Sequence, residues 1–100
     1  MKQVTIKNGN IYLSHDLCET YFKRIESVAL LIRNGSVLLL PVQQAGGGLL
    51  LKIRNANGDR VIHASEFFIQ HKIKTDAEMT LPAIWDAGSG ALVFRIENNA

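Results

Sequence analysis

Apolar and polar residues alternate along this chain in short runs, and Asn-Gly pairs punctuate the runs. Val4-Thr5-Ile6-Lys7 and Ile11-Tyr12-Leu13 flank Asn8-Gly9-Asn10. A period of two around a pair that tolerates positive φ predicts a β-hairpin. Over His15–Arg24 the period lengthens: Leu17, Tyr21 and Ile25 lie four apart, and Cys18 and Phe22 widen the same face. That spacing predicts an amphipathic helix, with Ser14 as its N-cap. Asp16 and Glu19 lie toward its start and Lys23 and Arg24 near its end, as the helix dipole favours. Residues 28–33 and 37–42 then surround Asn34-Gly35 and predict a second, more apolar hairpin.

The second half repeats this order. Residues 49–54 read as a strand, Asn55-Ala56-Asn57-Gly58 as a turn and Arg60–His63 as a strand. Ser65 is the expected N-cap of a helix through Lys72, with Phe67, Phe68 and His71 inward. Strands 78–85 and 91–96 follow, joined by a turn at 86–90, with Trp85 and Phe94 expected to face each other across that hairpin. The expected fold is mostly β (α+β): one domain, 1–100, made of two ββαββ repeats, 1–44 and 49–97, joined by a Gly-rich linker 45–48. Each repeat is too short to bury its own apolar strands, which two copies bury against each other.

Composition narrows the class. The chain is 47% apolar and 20% charged, which favours a folded domain over disorder. A net charge of +2 is too small to bind polyanions by charge alone. A lone cysteine, Cys18, makes no internal disulfide and reads as a small buried apolar residue in a reducing, cytoplasmic protein. The N-terminal segment lacks a signal-peptide core, and no apolar run is long enough to span a bilayer, so no membrane partner is expected.

Two stretches, NGNIYLSHDLCETYFKRIESVALLI (8–32) and NGDRVIHASEFFIQHKIKTDAEMTL (57–81), resemble the AbrB/SpoVT family of swapped-hairpin domains. The resemblance implies an interlocked, mostly β barrel, with one chain supplying both halves of a pseudo-dimer. It also implies a small DNA-binding transcriptional regulator without enzymatic activity. The chain departs from the family pattern: a basic residue follows the turn glycine loosely at Arg60 but not at Asn10, and Ser14 and Ala64 stand where a proline often closes the second strand.

A DNA-binding face concentrates Lys and Arg, because phosphate neutralisation supplies most of the affinity. The candidates are Lys7, Lys23, Arg24, Lys52, Arg54 and Arg60, with Arg54 and Arg60 flanking one turn; Asp16, Glu19, Asp59 and Glu66 sit among them. The competing reading is a protein-interaction or assembly module, including an antitoxin-like one. Leu38-Leu39-Leu40 and Leu49-Leu50-Leu51 place apolar groups on both faces of a strand, leaving one face for a protein partner or a second copy. His15-x-x-Cys18, with His63 and His71, falls short of the ligand set a zinc site needs. Gly88-Ser89-Gly90 leads into a strand, so it lacks the helix N-terminus of a phosphate loop. No catalytic residue, metal site or cofactor is assigned.

Overall fold

Both short hairpin turns close with left-handed backbone at each central residue: φ is 50° at Asn8 and 80° at Gly9, and 52° at Asn34 and 79° at Gly35. These values suit the turn whose twist matches that of the flanking strands. A computed structural model describes residues 2–43 and 47–96. Positions 45 and 46 of the linker 45–48 lie outside the described residues, as do the repeat ends at 1, 44 and 97.

The elements run β1 (Gln3–Lys7), β2 (Asn10–Leu13), α1 (His15–Tyr21), β3 (Ser27–Arg33), β4 (Ser36–Val42), β5 (Leu49–Leu50), β6 (Lys52–Ile53), β7 (Arg60–His63), α2 (Ser65–Gln70), β8 (Met79–Asp86) and β9 (Ala91–Arg95). Strand makes up 48% and helix 14% of the described residues, so the mostly β class holds. The nine strands form one antiparallel, nearly closed barrel-like sheet in the order β5-β3-β4-β9-β8-β1-β2-β7-β6.

Most of the long-range pairing crosses between the halves. β1 pairs with β8, β3 with β5, β2 with β7 and β4 with β9. Exchanging β1 with β5–β6, β2 with β7, β3 with β8 and β4 with β9 returns the same set of pairs. Each hairpin tip also docks on the opposite half's helix. Gly9 accepts from the Ala64 N–H at 2.8 Å beside α2, and the Asp59 carboxylate accepts from the His15 N–H at 2.9 Å beside α1.

The ends of the strand order meet at residues 49–53. Leu49 and Leu50 pair with β3, the Leu51 N–H donates to the Glu26 carbonyl at 2.8 Å, and Lys52 and Ile53 pair with β7. The strand expected over 49–54 is therefore two short pieces, because the segment changes partner at Leu51. That switch is the seam of the barrel.

The core lies inside the sheet and under the helices. Val4, Ile6, Ile11, Leu13, Val37, Leu39, Ile62, Leu92 and Phe94 fill it, with Leu17 and Cys18 from α1, Phe22 just after it and Phe68 from α2. Cys18 is the buried small residue expected, and burial pushes its thiol up to about 11. α1 stops at Tyr21 rather than Arg24: the Phe22 N–H closes the last turn on Cys18, and Arg24 turns left-handed at φ 63°. α2 stops at Gln70 rather than Lys72, whose φ is 58°. Ser14 caps α1 as expected, its hydroxyl accepting from the Leu17 N–H at 3.2 Å. Ser65 does not cap α2; Ala64 holds that position without a side-chain bond. Inward on α2 points Phe68, while Phe67 is half-buried and His71 exposed.

Trp85 and Phe94 are not opposite one another. The β8–β9 register sets Trp85 against Leu92 and Phe94 against Ala83. Trp85 instead stacks on Tyr21 at 4.7 Å and 9°, with Phe22 edge-on at 6.2 Å, so the pair expected across a hairpin is an aromatic joint between α1 and the sheet.

Candidate interaction surfaces

The six basic candidates divide among separate surfaces. At the seam, β6 and β7 place Lys52 and Arg60 beside Arg24 from the α1–β3 connection, around a groove of about 680 Å³. Leu50 and Ile53 also line it and are 63% and 69% exposed. Arg60 sits opposite Leu13 on the core-facing side of β7, where its Nη1 donates to the Leu51 carbonyl at 3.2 Å. Its Nε is buried without a hydrogen-bond partner among the described residues. Among the described residues, Glu26 is the one carboxylate on the groove wall.

Lys23 lies next door, in a hollow that shares Arg24, Ile25 and Glu26 with the groove. Arg54 turns the other way. Although it and Arg60 lie at the two ends of the loop 54–59, Arg54 rests its guanidinium over the Tyr12 ring at 4.5 Å. It lines a separate cleft of about 460 Å³ with Lys2, Asp16 and Asp59. Lys7 is exposed at the end of the first hairpin, opposite Asn10, and lines neither. Three of the six basic residues therefore meet at one groove, a fourth adjoins it, and two stand elsewhere.

Asp59, Asp86 and Glu19 have side-chain partners within the fold. Asp59 accepts from Asn55 Nδ2 at 3.0 Å and from the His15 N–H, and these bonds hold its carboxyl below the ordinary range. Gly58 lets the loop approach α1, since a Cβ there would stand 2.5 Å from the His15 ring. His15 Nε2 in turn lies 4.0 Å from Glu19. Asp86 accepts from the Ser89 hydroxyl at 2.6 Å, which depresses its pKa and accounts for the Gly88-Ser89-Gly90 turn without any ligand.

The histidines weighed with Cys18 are dispersed. His63 Nδ1 bonds Asn10 Oδ1 at 2.8 Å, and His71 lies against Phe67 at 4.6 Å. Among the described residues no three His, Cys, Asp or Glu side chains gather as a metal would require. Nor is any helix among them long and apolar enough to cross a membrane.

A third surface lies on the outside of the sheet. The registers align Leu31, Leu38, Val93 and Ile84 in one row across β3, β4, β9 and β8. The neighbouring rows, Ile32–Val37–Phe94–Ala83 and Leu30–Leu39–Leu92–Trp85, turn the other way, with Val37, Phe94, Ala83, Leu39 and Leu92 in the core and Ile32 37% exposed at the end of its row. Alternation therefore turns the Leu31 row outward. Leu38 is buried yet stands outside the core cluster, and at the ends of the row Leu31 is 49% and Ile84 71% exposed. The triple leucine at 38–40 signalled an apolar outer face. The contributions of Leu31 and Ile84 needed the register, since each becomes part of the row only through its cross-strand partners.

No family model, curated protein or solved structure matches this chain.

Proposed function

We propose that this protein is a non-enzymatic protein-interaction module with a swapped-hairpin type of barrel. The observation that carries the reading is the apolar row Leu31–Leu38–Val93–Ile84 on the outer face of β3–β4–β9–β8. Two large apolar side chains near half or more exposed at its ends are a cost to a chain that stays alone in water, and a contact surface for one that does not. The likeness to AbrB/SpoVT domains draws support from the ββαββ order of each half and from strand pairs that cross between halves. Fold does not fix function, however, and the surfaces decide.

Duplex DNA is the weaker reading because the basic candidates do not form one uninterrupted face. Arg54 stands with Asp16 and Asp59, and Glu26 shares the groove with Arg24, Lys52 and Arg60. The test is fluorescence anisotropy of labelled random-sequence duplex DNA at low and then physiological salt. The expected result is no saturable binding at micromolar protein. Micromolar binding that falls steeply with salt, and is lost when Arg24, Lys52 and Arg60 are neutralised, would replace this reading with the regulator.

A further inference from the structure

We infer that the groove at the barrel seam binds an acidic, extended peptide segment of a partner protein. Three independent features converge there. The first is an open strand edge. Among the described residues, β6 ends the strand order and pairs only with β7. Bonded pairs alternate along an antiparallel ladder. The Arg54 N–H is bonded to the Asp59 carbonyl on the β7 side, and the Leu51 N–H points the other way, to Glu26. Ile53, between a bonded pair and the next, therefore turns its own amide and carbonyl away from β7, toward the groove. An extended segment laid there adds a rung to the sheet, as strand-adding ligands do.

Charge is the second feature. Among the described residues, Arg24, Lys52 and Arg60 line the groove against the carboxylate of Glu26 alone. Arg60 is the sharpest of these, because its Nη1 is engaged by Leu51 while its buried Nε has no acceptor among the described residues. A carboxylate set into the groove meets the charge of a guanidinium already held at the wall by its bond to Leu51.

The third feature is the apolar wall. Leu50 and Ile53 are the most exposed large apolar residues of the seam. Side chains alternate along an extended peptide, so one set of acidic residues meets the cations while the intervening apolar set lies on Leu50 and Ile53. A duplex has no use for that wall, and a purely acidic chain leaves it uncovered.

The proposal extends the interaction reading to a second surface. It is tested by anisotropy of a fluorescein-labelled peptide of alternating glutamate and valine, with the lysine–valine and all-glutamate peptides as controls. The glutamate–valine peptide should bind best, and the lysine–valine peptide should not bind. Arg24→Glu with Lys52→Glu should weaken binding about tenfold or more, as reversing charges in a partly desolvated contact does. Both positions are exposed, so the double variant should keep its thermal unfolding midpoint, which separates a lost contact from a lost fold. Arg60→Met should also weaken binding.

Equal binding of the acidic and basic peptides, no binding at millimolar peptide, or indifference to the double charge reversal would each overturn the inference. None of those results touches the outer face of the sheet. Displacement of the bound peptide by random-sequence duplex at physiological salt would assign the groove to nucleic acid, and would overturn the interaction reading with it.

Discussion

Asp59 carries more of the architecture than its place in the sequence suggests. Read along the chain, it is one acid among several that dilute a basic surface. In the folded protein its carboxylate gathers Asn55 of its own loop and the His15 N–H at the start of α1, joining segments 44 positions apart. No pattern of neighbours could reveal that, because the partner is local only in space. The consequence is a pH dependence. Asn55 first, then His15, depress the folded-state pKa of Asp59, so the ionised form binds the fold better than it binds solvent. The stabilisation is fully present above the unfolded value near ~4 and disappears as pH falls through the lower folded value. Asp86 adds to the same limb through Ser89. Asp59→Asn should therefore flatten the loss of urea stability below about pH 4 without reversing it, since Asp86 still titrates. Midpoints measured from pH 7 to pH 2 decide the matter; a variant with the wild-type slope would show that the Asp59 bonds do not stabilise the fold.

At the level of elements, local chemistry was legible wherever a single residue type dictates the backbone. Asn-Gly announced both tight hairpins, and the Ser14 hydroxyl announced the start of α1. It failed where neighbours outside the element decide. Asn57-Gly58 belongs to a longer loop, 54–59, that reaches for α1, and the strand after the glycine-rich linker breaks because its two ends answer to different partners. Trp85 is covered by Tyr21 and Phe22 from a helix far earlier in the chain, so hairpin reasoning misassigned it to Phe94. The two serines give a direct comparison. Ser14→Ala removes a bond to the Leu17 N–H and should cost about 1 kcal/mol. Ser65 makes no capping bond, so Ser65→Ala should fall within about 0.5 kcal/mol of neutral. Urea midpoints of the two variants separate these cases, and equal losses would contradict the assignment of Ala64 as the α2 cap position.

For the whole molecule, what the sequence could not supply is which strand pairs with which. Repeat logic gave two sets of ββαββ, but the pairs β1–β8, β2–β7, β3–β5 and β4–β9 join residues from opposite halves. The same crossing fixes the candidate sites, because it decides that Arg60 faces the seam while Arg54 lies on Tyr12, and that Leu31 and Ile84 share a row. It also makes the barrel unequal around its circumference. β4 and β9 have paired neighbours on both sides, whereas the seam depends on two residue pairs with β3, two with β7 and a few further bonds, among them Leu51 N–H to Glu26 and Arg60 Nη1 to Leu51. Local opening follows the weakest set of contacts, so the seam should open without the rest. Native-state hydrogen exchange should find the Leu51 amide exchanging through a local opening well below the global free energy. The amides of Leu39 and Leu92, both in the core, should exchange only with global unfolding. Arg60→Met removes the bond to the Leu51 carbonyl and should speed exchange at Leu51 far more than at Leu39. Equal protection at Leu51 and Leu39 would mean that the barrel closes as one cooperative ring, and that a peptide at the seam must enter a groove already rigid.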